Sequence, residues 1–380
     1  MNFLVLKGQS RNGVLRKFSD ELNLSFLSLG HNSELLDLGY TNDIERDLLK
    51  IRDFEGDLII AFGSITAETQ LLNGSYLIES AKTPFLGWLV DDPIYHLPRF
   101  IANPQNRLTF ACSEHHVNFL KKYNIGGKKS TLLAAGSDNN NLIKNFKDRK
   151  FDVTFVGSWF GEVGSTINGI DDPIKQKWLS KVISNSVKNG LESFHLETEV
   201  LAKKYGIEFN LNNENIKNLV ATHYEMRKIT RLMVVESLVK SSHLKIHIVG
   251  KDWKDKFKFS KNTTFSDDID SKEIESVMAD SKIVININAA NGACERAFQA
   301  MSVGACVVSD MSSTLANYFK PGKEIFLFGY GNINSLTKNL EELIYSNRVE
   351  SIADKGYRET IKNHFWINRA NRIVSEVIAL

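Results

Sequence analysis

Residues 283–310, IVININAANGACERAFQAMSVGACVVSD, carry the reading on which the fold rests. The β-branched run 283–287 is long enough for one buried strand. The small, polar stretch 289–293 (AANGA) lets backbone N–H groups come close to a ligand. A helix is expected over 294–302, with Ala297, Phe298 and Met301 at helical spacing. Gly304 suits the position just past its end, and 305–308 resumes as a strand. A small-residue loop feeding a helix N-terminus beyond a parallel strand is where α/β proteins bind phosphate. The expected occupant is a pyrophosphate, such as that of an activated sugar.

A length of 380 residues predicts two domains with substantial cores. With 42% hydrophobic and 24% charged residues, the composition is that of an ordinary globular protein. A net charge of +2 gives no bulk case for nucleic acid as a partner. Cys112, Cys294 and Cys306 are scattered without metal-ligand or redox spacing, which fits a reducing compartment. The chain begins directly as a short strand, MNFLVLKGQS, without the features of a signal peptide. No apolar run approaches the roughly 20 residues that span a bilayer. The expected location is the cytoplasm.

Strands are expected at 3–6, 57–62, 84–90, 108–111 and 130–134, with further short apolar pieces at 25–29 and 34–38. Helices are expected at 15–22 and 115–123. This alternation implies right-handed crossovers and a doubly wound parallel sheet, with ligand-binding loops along one edge. On that edge Asp91-Asp92-Pro93 could take the proton from an acceptor hydroxyl, or could cap a turn. His31, which follows the piece 25–29 read as another strand, is a candidate for the same edge or a surface residue.

Residues 135–149, with three consecutive asparagines, read as an interdomain connection. The domains are therefore expected at 1–147 and 148–363, with a terminal helix over 364–380. In the second domain, strands at 151–156 and 245–249 bracket a largely helical stretch at 174–240, and an acidic turn and helix occupy 266–281. Terminal helices are expected at 338–345, 351–363 and 366–378. Two strand ends, Gly157-Ser158 and Gly250-Lys251, flank the loop 289–293 in one sheet. Backbone amides, the Ser158 hydroxyl, Lys251 and Arg296 could together hold a diphosphate. Arg296 also reads as a solvated helix residue. Yet a cation in a first helical turn opposes the helix dipole, and an anionic ligand would explain it.

Several motifs occur together, in order, over nearly the whole chain. They are Gly87-Trp88 through Asp91-Asp92-Pro93, Phe155-Val156-Gly157-Ser158, residues 248–253 (IVGKDW), 282–310, 319–328 (FKPGKEIFLF) and His364-Phe365-Trp366. The set resembles the CgeB-like glycosyltransferases, a spore-maturation-protein family of GT-B fold. The resemblance implies an α/β architecture of two Rossmann-like, doubly wound domains facing a cleft, with the last helix crossing back to the first. The second domain would bind a UDP-, GDP- or dTDP-sugar donor through Gly157, Ser158, Gly250, Lys251, Asn288, Asn291, Gly292 and Arg296, with Gln299 on the ribose. The first would present a cell-surface glycan or a protein acceptor near Gly8 and His31, and Asp91 or Asp92 is the preferred candidate base if the enzyme inverts.

Many related sugar transferases carry two glutamates spaced E-x7-E, where this chain has Asn291 and Gln299. Gln299 can still hydrogen-bond ribose hydroxyls, but the stereochemical outcome and the sugar are left open. No metal or other cofactor is expected, since GT-B enzymes use a helix dipole and basic side chains instead. Nor do the pairs Asp91-Asp92, Asp171-Asp172 and Asp267-Asp268 have DxD spacing. The lysines of 251–261 read as a solvated face, with peripheral contact to anionic lipid or a polyanionic acceptor as a lesser expectation. The rival readings are a nucleotide-sugar epimerase of the same fold and a catalytically weakened binding protein. A nicotinamide oxidoreductase is disfavoured, because no G-x-G-x-x-G follows the first strand.

Overall fold

The computed structural model describes the chain apart from residues 101–104, 139–141, 258–259, 289–291, 347 and 380, and the side chains of Arg11, Ser271 and Lys272. It divides into two compact units, Met1–Asp138 with Lys362–Leu380, and Asn139–Ile361.

The first unit holds β1 (Asn2–Lys7), β2 (Asn32–Asp37), β3 (Leu58–Phe62), β4 (Phe85–Trp88), β5 (Arg107–Ala111) and β6 (Lys129–Leu132). All pairings are parallel, in the order β2-β1-β3-β4-β5-β6. Both faces of the sheet are covered. Phe3 and Val5 of β1 pack on one face with Leu22, Phe26 and Trp366, while Leu4 and Leu6 pack on the other with Ile51 and Leu77. A strand buried on both sides has no polar side to show, which is why β1 and β3 read as unbroken apolar runs.

The apolar piece 25–29 does not form a strand. Residues 25–28 are the last turn of the helix Val14–Ser28, whose Phe18, Leu22 and Phe26 recur every four residues and face the sheet. A short apolar run cannot by itself separate a strand from a buried helix end.

The terminal helix Trp366–Ile378 belongs to the core of this unit. The Trp366 ring lies 5.0 Å from Phe18 and 5.8 Å from both Phe62 and Trp88, centroid to centroid. Buried Arg369 donates to the Ala135 carbonyl at 3.2 and 3.3 Å, and Ser137 N donates to the His364 carbonyl at 3.0 Å.

The second unit holds β7 (Phe151–Val156), β8 (Ile246–Val249), β9 (Thr263–Ser266), β10 (Ser281–Asn286), β11 (Cys306–Asp310) and β12 (Phe326–Phe328). These strands are also all parallel, in the order β12-β11-β10-β7-β8-β9. Counted from β7, this is the 3-2-1-4-5-6 order of dinucleotide-binding sheets, and the winding reverses between β7 and β10. β9 had no sequence signature, because its residues TTFS are short and polar at a sheet edge. Between β7 and β8 runs a helical insertion that ends in the long helix Asn213–Val239.

After β10 comes the helix Glu295–Ser302. It ends as the sequence predicts, with Gly304 at φ +72°. Gly304 N donates to the Met301 carbonyl and Ala305 N to the Ala300 carbonyl, both at 2.9 Å. These two bonds close the helix and turn the chain straight into β11.

Candidate functional site

The carboxyl ends of β7 and β10 meet at the reversal point of the second sheet, the place where such sheets bind ligands. The loop 288–294 leaves β10 there. Its residues 289–291, Asn291 included, lie outside the described residues. Asn288 is buried and its side chain is spent on the loop itself. The backbone N and Nδ2 of Asn288 donate to Asp310 Oδ1 at 2.9 and 2.8 Å, and Nδ2 also donates to Ser309 Oγ at 2.9 Å. Cys294 N donates back to Asn288 Oδ1 at 3.2 Å, closing the loop. The expectation that the Asn288 side chain binds donor is therefore corrected: it is a brace. Gly292 is buried, and its carbonyl accepts from Ser312 Oγ at 3.3 Å.

Cys294, at the N-cap of the helix Glu295–Ser302, makes no capping bond with its side chain. Arg296 sits half-buried in its first turn, and its Nε is enclosed without a hydrogen-bond partner among the described residues. Three residues on, and so on the same helix face, Gln299 is 8% exposed and its amide makes no hydrogen bond among the described residues. An enclosed guanidinium N–H left unpaired costs about 1–3 kcal/mol unless an acceptor arrives from outside.

The ends of β7 and β8 are built differently from the expectation. Gly250 has φ +143°, and a Cβ there would meet the Gly157 carbonyl at 2.5 Å. Glycine is required so that two backbones can touch, not so that a ligand can approach. The Gly157 carbonyl accepts from Trp253 Nε1 at 2.5 Å. The Ser158 hydroxyl donates to Asp268, and Lys251 N donates to the same carboxylate at 3.2 Å, with Lys251 Nζ 4.0 Å away. Two groups assigned to a diphosphate are thus gathered by Asp268. Sequence reasoning also missed Arg231, which is buried and donates from Nη1 to the Ser158 carbonyl at 2.7 Å. Its only signal was a cation on an inward-facing stripe of a long helix.

Residues 227–375 match the family model described as glycosyl transferase-like, over less than half of the chain. This stretch of the chain is therefore similar to glycosyl transferases. No curated protein matches the chain in sequence. Solved structures match it end to end. Alr3699/HepE from Anabaena, in complex with UDP and glucose, is 13% identical with a TM-score of 0.59, and all of both chains is covered. Sucrose-phosphate synthase from Thermosynechococcus elongatus is 10% identical with a TM-score of 0.57, over 100% of this chain and 99% of that one. An α-glucosyltransferase in complex with UDP and a 13-mer DNA is 12% identical with a TM-score of 0.54, over all of both chains. At such identities the likeness shows the fold, which is the GT-B class expected from the sequence.

Beside Asn288, Asp310 is fully enclosed, and burial pushes its carboxyl from 3.8 up to about 7. Tyr330 OH donates to Asp310 Oδ2 at 3.0 Å, and the phenol is itself held well above its usual range by burial and by that carboxylate.

In the first unit, the structure separates the four acceptor-side candidates. Asp92 is 0% exposed, with Oδ1 accepting from Ile94 N at 3.0 Å and Oδ2 lying 3.5 Å from His116 Nε2. It is an enclosed turn cap, which corrects its reading as a base open to an acceptor. Asp91 is exposed, just beyond β4 on the carboxyl edge. Gly8 directly follows β1 on that edge, so close to Ile65 that a Cβ would come within 2.7 Å of its Cδ1. His31 precedes β2 and stands beside Met1, with Nδ1 3.4 Å from the terminal ammonium. That is the amino edge of the sheet, so the acceptor-side reading of His31 is withdrawn. Near Asp92, on the segment after β4, burial pushes His96 from 6.5 down to about 4. No described helix is long and apolar enough to cross a membrane.

Proposed function

We propose that the chain transfers a sugar from a nucleotide-diphosphate sugar, seated at the β7–β10 reversal point, to a glycan or protein hydroxyl. The observation that carries this is the enclosed Nε of Arg296, without a hydrogen-bond partner among the described residues, in the first turn of a helix that starts at the place where this sheet order binds phosphates. The helix amides and the guanidinium would hold the pyrophosphate and stabilise it as it leaves, in place of a metal. Gln299 would reach the ribose hydroxyls with its side-chain amide. Asp91, exposed on the carboxyl edge of the first unit, is the preferred base, with Asp92 behind it as a turn cap. The narrower kinship with CgeB-like enzymes, and a cytoplasmic site of action, rest on the motif residues and composition alone.

A thermal-shift screen of UDP, GDP and dTDP and their sugars tests the reading, because a ligand that binds only the folded chain raises its melting temperature. Stabilisation by one such nucleotide, and acceptor-dependent release of nucleotide diphosphate that survives a chelator, are expected. Sugar interconversion without acceptor would favour an epimerase. Binding with no turnover at all, even to water, would favour a non-catalytic role.

A further inference from the structure

The loop after β10 is fastened from below, by a residue of the next strand. Four donors converge on the enclosed Asp310 carboxyl: Asn288 N at 2.9 Å, Asn288 Nδ2 at 2.8 Å, Tyr330 OH at 3.0 Å and Ser309 Oγ at 3.3 Å. An ionised carboxylate only accepts hydrogen bonds, whereas its acid form must also donate one. The surroundings are therefore made for the ionised form. Asn288, so fixed, receives Cys294 N on its Oδ1, and Cys294 is the residue from which the helix of Arg296 starts. The chain of contacts runs from Tyr330 and Asp310, through Asn288, to the proposed phosphate-binding turn.

We propose that Asp310 is a positioning residue whose ionised carboxylate clamps Asn288 and thereby sets the donor-binding turn, so that donor binding requires its deprotonation. The inference rests on the donor site placed above. Burial opposes ionisation and the four donors favour it, which leaves the group titrating near neutrality. The ionisable or charged neighbours among the described residues are Tyr330, on the segment after β12, and beyond it Arg231, on the helix Asn213–Val239, which acts on the Tyr330 phenol. Tyr330 keeps its proton throughout the neutral range, so the pH response belongs to Asp310.

UDP-glucose is a suitable probe, because its diester phosphates do not titrate near neutrality. Its affinity for the full chain is measured by calorimetry from pH 6 to pH 8, for the native chain, Asp310→Asn and Tyr330→Phe. If only the ionised form is competent, apparent affinity scales with its population and rises about tenfold across that window. Asp310→Asn should bind weakly with a flat pH profile, since its amide points N–H at a donor. Tyr330→Phe removes one donor to the carboxylate and should move the midpoint to higher pH while leaving the plateau affinity close to native.

Amide exchange of Asn288 and Cys294 gives a readout independent of ligand, and protection of both should fall in Asp310→Asn. A native pH profile that is flat, or exchange protection unchanged in both variants, overturns the clamp. Loss of the clamp signals with intact UDP-glucose binding leaves the donor site standing. Absence of any binding by the native chain overturns the donor reading and this inference with it. Should Asp310→Asn fail to fold, an unmoved midpoint in Tyr330→Phe still refutes the proposal.

Discussion

Replacing Arg296 with alanine should separate ligand binding from folding. The side chain has an enclosed Nε without a partner among the described residues, and no ion pair to it is seen there. Its removal therefore deletes no protein contact of known worth, and it also takes a cation away from a helix N-terminus, which relieves about 0.3–1 kcal/mol. The unliganded chain should keep its stability or gain up to roughly 1 kcal/mol. A guanidinium donating to phosphate contributes about 1.5–3 kcal/mol, so donor affinity should fall roughly ten- to a hundredfold. Urea unfolding without ligand and calorimetry with UDP-glucose read the two halves. An affinity within twofold of native, or an unliganded chain destabilised by about 2 kcal/mol or more, would refute the assignment, the second outcome because it would mean that Arg296 serves the fold.

Gly250→Ala should destabilise the chain by about 1–3 kcal/mol in urea unfolding, because it places a Cβ against the Gly157 carbonyl at a φ that favours glycine. Trp366→Ala should cost about 3–5 kcal/mol, since the ring is buried among Phe18, Phe62 and Trp88 in the core of the first unit. Asp310 also makes stability depend on pH. Its folded carboxyl binds a proton more tightly than its unfolded one, so stability should decline as pH rises from about 4 to about 7 and then level off. The decline due to this group is at most about 4 kcal/mol, at 1.36 kcal/mol per unit, and Asp310→Asn should abolish that component in melting curves taken across the range.

The sheets were legible because parallel strands covered on both faces leave apolar runs, as in β1, β3 and β10. The helix after β10 and its glycine stop were legible because their signals are local. What sequence could not give was the partner of a polar group. Ser158 and Lys251 read as free to bind phosphate, but Asp268, more than a dozen residues away in sequence, gathers both. Asn288 read as a ligand contact and proved to be a brace, because its partner Asp310 lies one strand further along the sheet. His31 was put on the wrong edge by a single error of element type, since a helix end taken for a strand reverses which edge follows it. Asp92 carried two readings of equal chemical sense, and burial chose the cap.

The proposed seat of the nucleotide diphosphate in the second unit is the first turn of the helix Glu295–Ser302, beyond Asn288. A crystal structure of the full chain soaked with UDP-glucose tests it most directly. Pyrophosphate oxygens are expected within hydrogen-bond distance of Arg296 and of the first amides of the helix Glu295–Ser302, with the ribose near Gln299. A nucleotide bound elsewhere in the chain, with the Arg296 Nε still unpaired, would contradict it.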